Sequence, residues 1–129
     1  MANETRRILL VNCDRAIEEM MLLCLETIPN CETILVRSSI EAIDQASSQK
    51  ISAILLYIDD RASDLSWLKI IKAIEQNPST NCIPLILLTS TPQAQNIVEL
   101  QRTKEVEAIA LSFDLSNLAS QISALLDWN

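Results

Sequence analysis

Five short aliphatic runs, separated by stretches long enough to be helices, set what this chain can fold into. The runs occupy residues 8–11, 33–37, 51–58, 82–89 and 106–111. Each is too short for a buried helix and rich in Ile, Leu and Val, which predicts strands. The third, Ile51 to Ile58, is apolar almost throughout, as expected of a parallel strand covered on both faces.

The stretches between them carry apolar residues at helical spacing. Over residues 15–28, Ile17, Met20, Met21, Cys24, Leu25 and Ile28 share one face, and Pro29-Asn30 ends the helix. Ser38 followed three residues later by Glu41 forms a capping box. The helix it opens is expected to bury Ile40, Ile43 and Ala46. Residues 64–76 predict a helix burying Leu65, Leu68, Ile71 and Ile74, with Trp67 half exposed. Thr91-Pro92 combines an N-cap with proline at the first helical position, opening a polar helix over 92–104 whose apolar residues are Ile97, Val98 and Leu100. Asp114 is expected to cap a last helix that turns Leu115, Leu118, Ile122 and Leu125 to the core.

Strict alternation of five strands and five helices predicts an α/β fold with a parallel sheet and helices on both faces. With five strands, the expectation is a flavodoxin-like, doubly wound (βα)5 domain of strand order 2-1-3-4-5. At 129 residues the chain fits one domain spanning 1–129. In such sheets a functional site sits at the C-terminal ends of the strands.

Composition removes several kinds of chemistry. The sequence has no histidine and no glycine. Without histidine, Ser-His and Cys-His nucleophile pairs and His-metal sites are excluded. Without glycine, so are the Walker loop and the dinucleotide fingerprint, whose backbones need its freedom. Tight turns must then rely on residues such as Asn30, Asn77 and Asn81. Cys13, Cys24, Cys31 and Cys82 show no C-x-x-C spacing, so a zinc site would have to draw ligands from distant segments. A net charge of −7 argues against nonspecific binding to nucleic acid or to anionic membranes. No apolar run approaches a membrane span or the core of a secretory signal, and the expected compartment is the cytoplasm.

The C-terminal strand ends bring forward Asn12, Cys13 and Asp14, then Tyr57 to Arg61, then Thr89-Ser90 and Leu111-Ser112. Together with Arg7-Ile8-Leu9-Leu10-Val11, Ala53-Ile54-Leu55-Leu56, Ile83-Pro84-Leu85-Ile86-Leu87-Leu88-Thr89 and Ser112-Phe113-Asp114-Leu115, they carry a resemblance. Over essentially its whole length the chain resembles the CheY-like receiver domain of two-component response regulators.

In that family two acidic residues after the first strand help to hold Mg²⁺, and an aspartate ending the third strand accepts a phosphoryl group from a histidine kinase. A hydroxyl residue after the fourth strand and a lysine after the fifth contact the phosphoryl oxygens. Carried across, the acidic pair falls on Asn12 and Cys13, the acceptor on Tyr57, the lysine on Leu111 and the proline after the lysine on Ser112. The proline beyond the acceptor falls on Arg61 and the aromatic switch residue near Ala108. Only the hydroxyl position, Thr89, is kept. A phenol is neutral at pH 7 and brings no formal charge to a metal, and leucine cannot offset phosphate charge.

The resemblance therefore implies a degenerate pseudo-receiver: a phosphorelay-type signalling module without its phosphorylation site, not an enzyme and without a Mg²⁺ cofactor. Its function would lie in protein–protein interaction. The family's usual docking face, made by the fourth helix, fifth strand and fifth helix, carries Gln95, Val98, Glu99 and Arg102 here. It would receive a protein partner, a sensor kinase or regulator among them, or a second copy of the chain.

Two alternatives stay open. Asp14 and Asp59 are candidates for a residual acidic metal site, and Asp59 for a displaced phosphoacceptor after a two-residue slip. A flavodoxin-like redox or ligand sensor is the other, with Cys13 at a helix N-terminus as its reactive thiol.

Overall fold

The computed structural model describes residues 5–11, 14–58, 66–90, 95–104, 106–111 and 116–128. Five strands and five helices alternate: β1 (Arg6–Val11), α1 (Arg15–Leu25), β2 (Cys31–Val36), α2 (Ser39–Ser48), β3 (Ala53–Tyr57), α3 (Ser66–Gln76), β4 (Leu85–Thr89), α4 (Gln95–Lys104), β5 (Glu107–Ala110) and α5 (Leu118–Leu126). The strands form one sheet of order β2-β1-β3-β4-β5, and every pair is parallel. The flavodoxin-like, doubly wound (βα)5 architecture expected from the alternation is the one observed.

The period-two pleat of the strands divides the apolar side chains between two cores. Ile8 and Leu10 of β1, Ala53 and Leu55 of β3, and Ile86 and Leu88 of β4 turn to one face, where they meet Met21 and Leu25 of α1 and Leu118 and Ile122 of α5. Leu9, Val11, Ile54, Leu56 and Leu87 turn to the other, against Ala42 of α2, Trp67, Ile71 and Ile74 of α3, and Ile97 of α4. Burial on both sides explains why β1, β3 and β4 read as continuous aliphatic runs and β2 and β5, at the sheet edges, do not.

Local chemistry sets the element ends. The Asp14 carboxylate accepts from the Ala16 amide at 2.9 Å and caps α1, while the Ser38 hydroxyl accepts from the Glu41 amide at 3.2 Å and caps α2. Glu41 in turn accepts from the amide of Arg37, the residue before the cap, at 3.2 Å, a variant of the expected box shifted by one residue. Among the described residues, φ is positive at Asn30 (55°) and Asp127 (57°). Asn30 thus takes the left-handed position that glycine would otherwise fill, as anticipated. Asn77 solves its turn through its side chain, whose Oδ1 accepts from the Ser79 amide at 2.9 Å. In the same turn the buried Thr80 hydroxyl donates to the Ile74 carbonyl at 2.6 Å, closing the end of α3 over the start of β4.

Several helix faces differ from expectation. Ile40 is 78% exposed, and Ala42 is buried in its place. Residues two apart point to nearly opposite sides of a helix, so burying Ala42 turns Ile40 to solvent. Met20 sits on the flank of α1 and is 48% exposed, whereas its neighbour Met21 is fully buried. Trp67 is only 7% exposed, because Trp67, Ile71 and Ile74 form the central row of α3 and Leu68 its edge. Leu125 is exposed as well; the reversal at Asp127 brings Leu126 and Trp128 against the core instead. The N-cap of α5 is Asn117, with no side-chain bond; Asp114, Leu115, Leu65 and Thr91-Pro92 lie outside the described residues.

Leu55, fully buried in the central strand β3, is a direct test of this packing. Leu55→Ala is expected to lower unfolding free energy by about 2–5 kcal/mol in denaturant titration, the range for leucine truncation in a core.

Candidate functional site

The C-terminal edge of the sheet is assembled by backbone hydrogen bonds that carry the strand register to its last residues. Tyr57 closes β3 opposite Leu88, and the next amide, of Ile58, donates to the Leu88 carbonyl at 2.9 Å. Thr89 closes β4 opposite Ala110, and the Leu111 amide donates to the Thr89 carbonyl at 2.8 Å. Tyr57, Thr89 and Leu111 therefore stand at the ends of three adjacent strands, as their sequence positions predict. Asn12, Cys13, Asp59 and Arg61 lie outside the described residues.

The pleat determines what these side chains touch. Tyr57 follows Leu55 and Leu111 follows Ile109 at period two, so both belong to the face covered by α1 and α5 and pack against its core. Both remain partly exposed, whereas Thr89 is buried completely. Asp14 is half-buried, and one of its carboxylate oxygens is engaged by the α1 amide that it caps. An aromatic, an aliphatic and a buried hydroxyl at these strand ends supply packing and no formal charge.

At α4 the four residues expected on a docking face are all exposed. Gln95 donates through Nε2 to the Glu99 carboxylate at 3.2 Å, one turn along, and Val98 is 38% exposed beside them. Ile97, next in sequence, is buried in the core under α2, α3 and α4.

The opposite edge of the sheet holds a contact that the sequence reading did not pair. The Arg6 guanidinium lies over the Trp128 ring, 4.7 Å from its centroid, and donates from Nη1 to the Trp128 carbonyl at 3.2 Å. These residues are 122 positions apart, and no local pattern announces such a pair. Cys31 stands beside Arg6 in register. Burial raises the Cys31 thiol above its ordinary value of 9.0; the Arg6 charge opposes that and Glu32 adds to it. A hollow of about 320 Å³ at this same edge is lined by Thr80, Cys82, Pro84 and Val106 among others, away from the strand ends that carry Tyr57 and Leu111. Among the described residues no helix is long and apolar enough to cross a membrane.

Known structures share this architecture. The receiver domain of the sensor histidine kinase PA1611 from Pseudomonas aeruginosa, which carries a magnesium ion in its active-site cleft, superposes with a TM-score of 0.73 at 20% identity, covering 95% of this chain and 98% of that one. A response regulator from Desulfuromonas acetoxidans gives 0.75 at 21% identity over 95% and 98% of the two chains. Chemotaxis protein CheY4 of Vibrio cholerae gives 0.75 at 15% identity over 93% and 98%. No family model matches the sequence. No curated protein matches it. At these identities the likeness is one of fold: the chain has the fold of CheY-like response-regulator receiver domains.

The environment of Cys31 gives a test in two parts. A thiol reagent at neutral pH is expected to label exposed Cys82 before partly buried Cys31, read by mass spectrometry of native protein. Because the native Cys31 thiol ionises later than the unfolded one, unfolding gains a driving force once pH rises past 9.0. Stability is expected to fall more steeply there in the parent than in Cys31→Ala, by comparison of denaturant midpoints from pH 8 upward.

Proposed function

We propose that the protein is a response-regulator-like signal-transduction module that lacks the phosphorylation site and acts by binding another protein. The observation that carries this reading is the pair Tyr57 and Leu111, which pack into the α1/α5-side core at the strand ends where phosphoryl transfer needs a carboxylate and a cation. A carboxylate there would receive the phosphoryl group, and a lysine would offset its charge. Tyr57 and Leu111 provide neither, so the module is not an enzyme and works as a pseudo-receiver.

The described residues also fit Mg²⁺ poorly. A hard divalent ion takes several oxygen donors, carboxylates foremost, and the described candidates are one phenol and one carboxylate already capping α1. No step through a metal follows from this donor set.

What remains for function is surface. The exposed α4 residues Gln95, Val98, Glu99 and Arg102 combine hydrogen-bonding groups with one apolar anchor, the mixture found at moderate protein interfaces. The partner is a protein, a sensor kinase or another regulator among the classes that suit it, or a second copy docking on the same α4-β5-α5 face. The net charge of −7 disfavours direct contact with nucleic acid, and a cytoplasmic setting accords with this role.

Two measurements test the reading. Incubation with a small phosphodonor and Mg²⁺ is expected to leave the intact mass unchanged; a Mg²⁺-dependent phosphoryl adduct overturns it, and mapping that adduct to Asp59 would favour the displaced acceptor. In pull-downs from the native host, Val98→Glu with Arg102→Glu is expected to lose the captured protein, while Tyr57→Phe keeps it.

A further inference from the structure

Helix α5 ends in a way that its own sequence does not support. Leu118–Leu126 carries no charged residue, so nothing within the helix offsets the negative end of its dipole. Asp127, which reverses the chain there, is acidic and so has the wrong sign for that position. It also takes a left-handed conformation (φ 57°, ψ 46°), which is costly for a residue with a Cβ and is usually left to glycine. At the other end Asn117 makes no side-chain cap. A helix of nine residues with such ends is marginal by itself. Its closing geometry is nevertheless complete. The Asp127 amide donates to the Ala124 carbonyl at 3.3 Å and the Trp128 amide to the Ser123 carbonyl at 2.9 Å, the two bonds of a Schellman turn.

What the helix lacks is supplied from β1. The Arg6 guanidinium covers the Trp128 ring at 4.7 Å and donates from Nη1 to the Trp128 carbonyl at 3.2 Å, in a partly buried contact. It places a full positive charge at the C-terminal end of α5 and pins the residue whose amide closes the turn. Leu126 and Trp128 are thereby kept against the core that α1 and α5 share. Opposed contributions meet at this one turn. Backbone conformation and charge at Asp127 favour release, and a contact spanning 122 positions of sequence favours closure. The fully packed Leu118 and Ile122 anchor the earlier part of the helix in either case.

We infer that Arg6 and Trp128 form a latch on the end of α5. Closed, it holds residues 124–128 against the sheet; open, it frees that turn and uncovers Leu126 and Trp128 while the rest of the domain stays folded. The first residue of β1 thus sets the order of the last turn of α5. The device rests neither on docking at α4 nor on the absence of phosphoryl transfer.

Amide exchange of the full chain, followed residue by residue by NMR at low denaturant concentrations, reads the latch directly. The Trp128 amide is expected to exchange through a local opening that denaturant barely affects, whereas the Leu55 amide of β3 follows global unfolding and its full denaturant slope. Arg6→Gln is expected to lower Trp128 protection about tenfold. Trp128→Leu is expected to lower protection of that amide as well, and the double variant to lose less than the sum of the two, because both remove one contact. Asp127→Gly relieves the left-handed conformation and removes the acidic charge, so it is expected to raise protection above the parent. Circular dichroism confirms that each variant is folded. Asp127→Gly leaves the latch residues in place and keeps the test decisive should Arg6→Gln fail there. Trp128 exchange that follows the global slope, protection indifferent to Arg6→Gln, losses that simply add, or no gain in Asp127→Gly each overturns the inference.

Discussion

The structure depends on the burial of its central strands from both sides. Leu9 and Leu10, side by side in β1, are both fully buried although they point in opposite directions, and so are Ile54, Leu55 and Leu56 of β3. That is only achievable when helices cover each face of the sheet. Removing such a side chain from water stabilises by roughly 1.5–3 kcal/mol. Against those terms, single hydrogen bonds or exposed ion pairs contribute about 1 kcal/mol or less. The aliphatic middles of the strands therefore hold the molecule together, and the residues at their ends are under a lighter constraint.

That division leaves the residue types at the strand ends freer to vary than those in the strand middles. A charged pocket at the tips of adjacent strands concentrates groups that repel one another and resist desolvation. Tyr57 and Leu111 instead extend the α1/α5-side core by one more layer. The Arg6–Trp128 contact acts at the far edge, tying the end of α5 to the start of β1.

The elements themselves were legible because their patterns are local. Aliphatic runs bounded by polar turns, the Ser38–Glu41 box and the left-handed Asn30 each follow from a few neighbouring residues, and each is found in the structure. Helix faces were less legible. On α2 and α3 the largest aliphatic residues suggest a face, yet α2 turns the small Ala42 inward and leaves Ile40 exposed. Trp67 is buried because it shares the inward row of α3 with Ile71 and Ile74. At the candidate site the strand-end positions of Tyr57, Thr89 and Leu111 were readable from spacing. Which core received Tyr57 and Leu111 depended on the pleat.

The alternation of runs and helical stretches by itself determined the sheet, its parallel strands and the identity of the residues at its C-terminal edge. Hydrophobic period and turn chemistry are properties of adjacent residues, so they can be read along the chain. The tertiary structure alone decided which side chains share a core, which helix row faces the sheet, and that Arg6 meets Trp128. Those outcomes depend on how closely separate elements approach, a distance set by the volumes of side chains far apart in sequence.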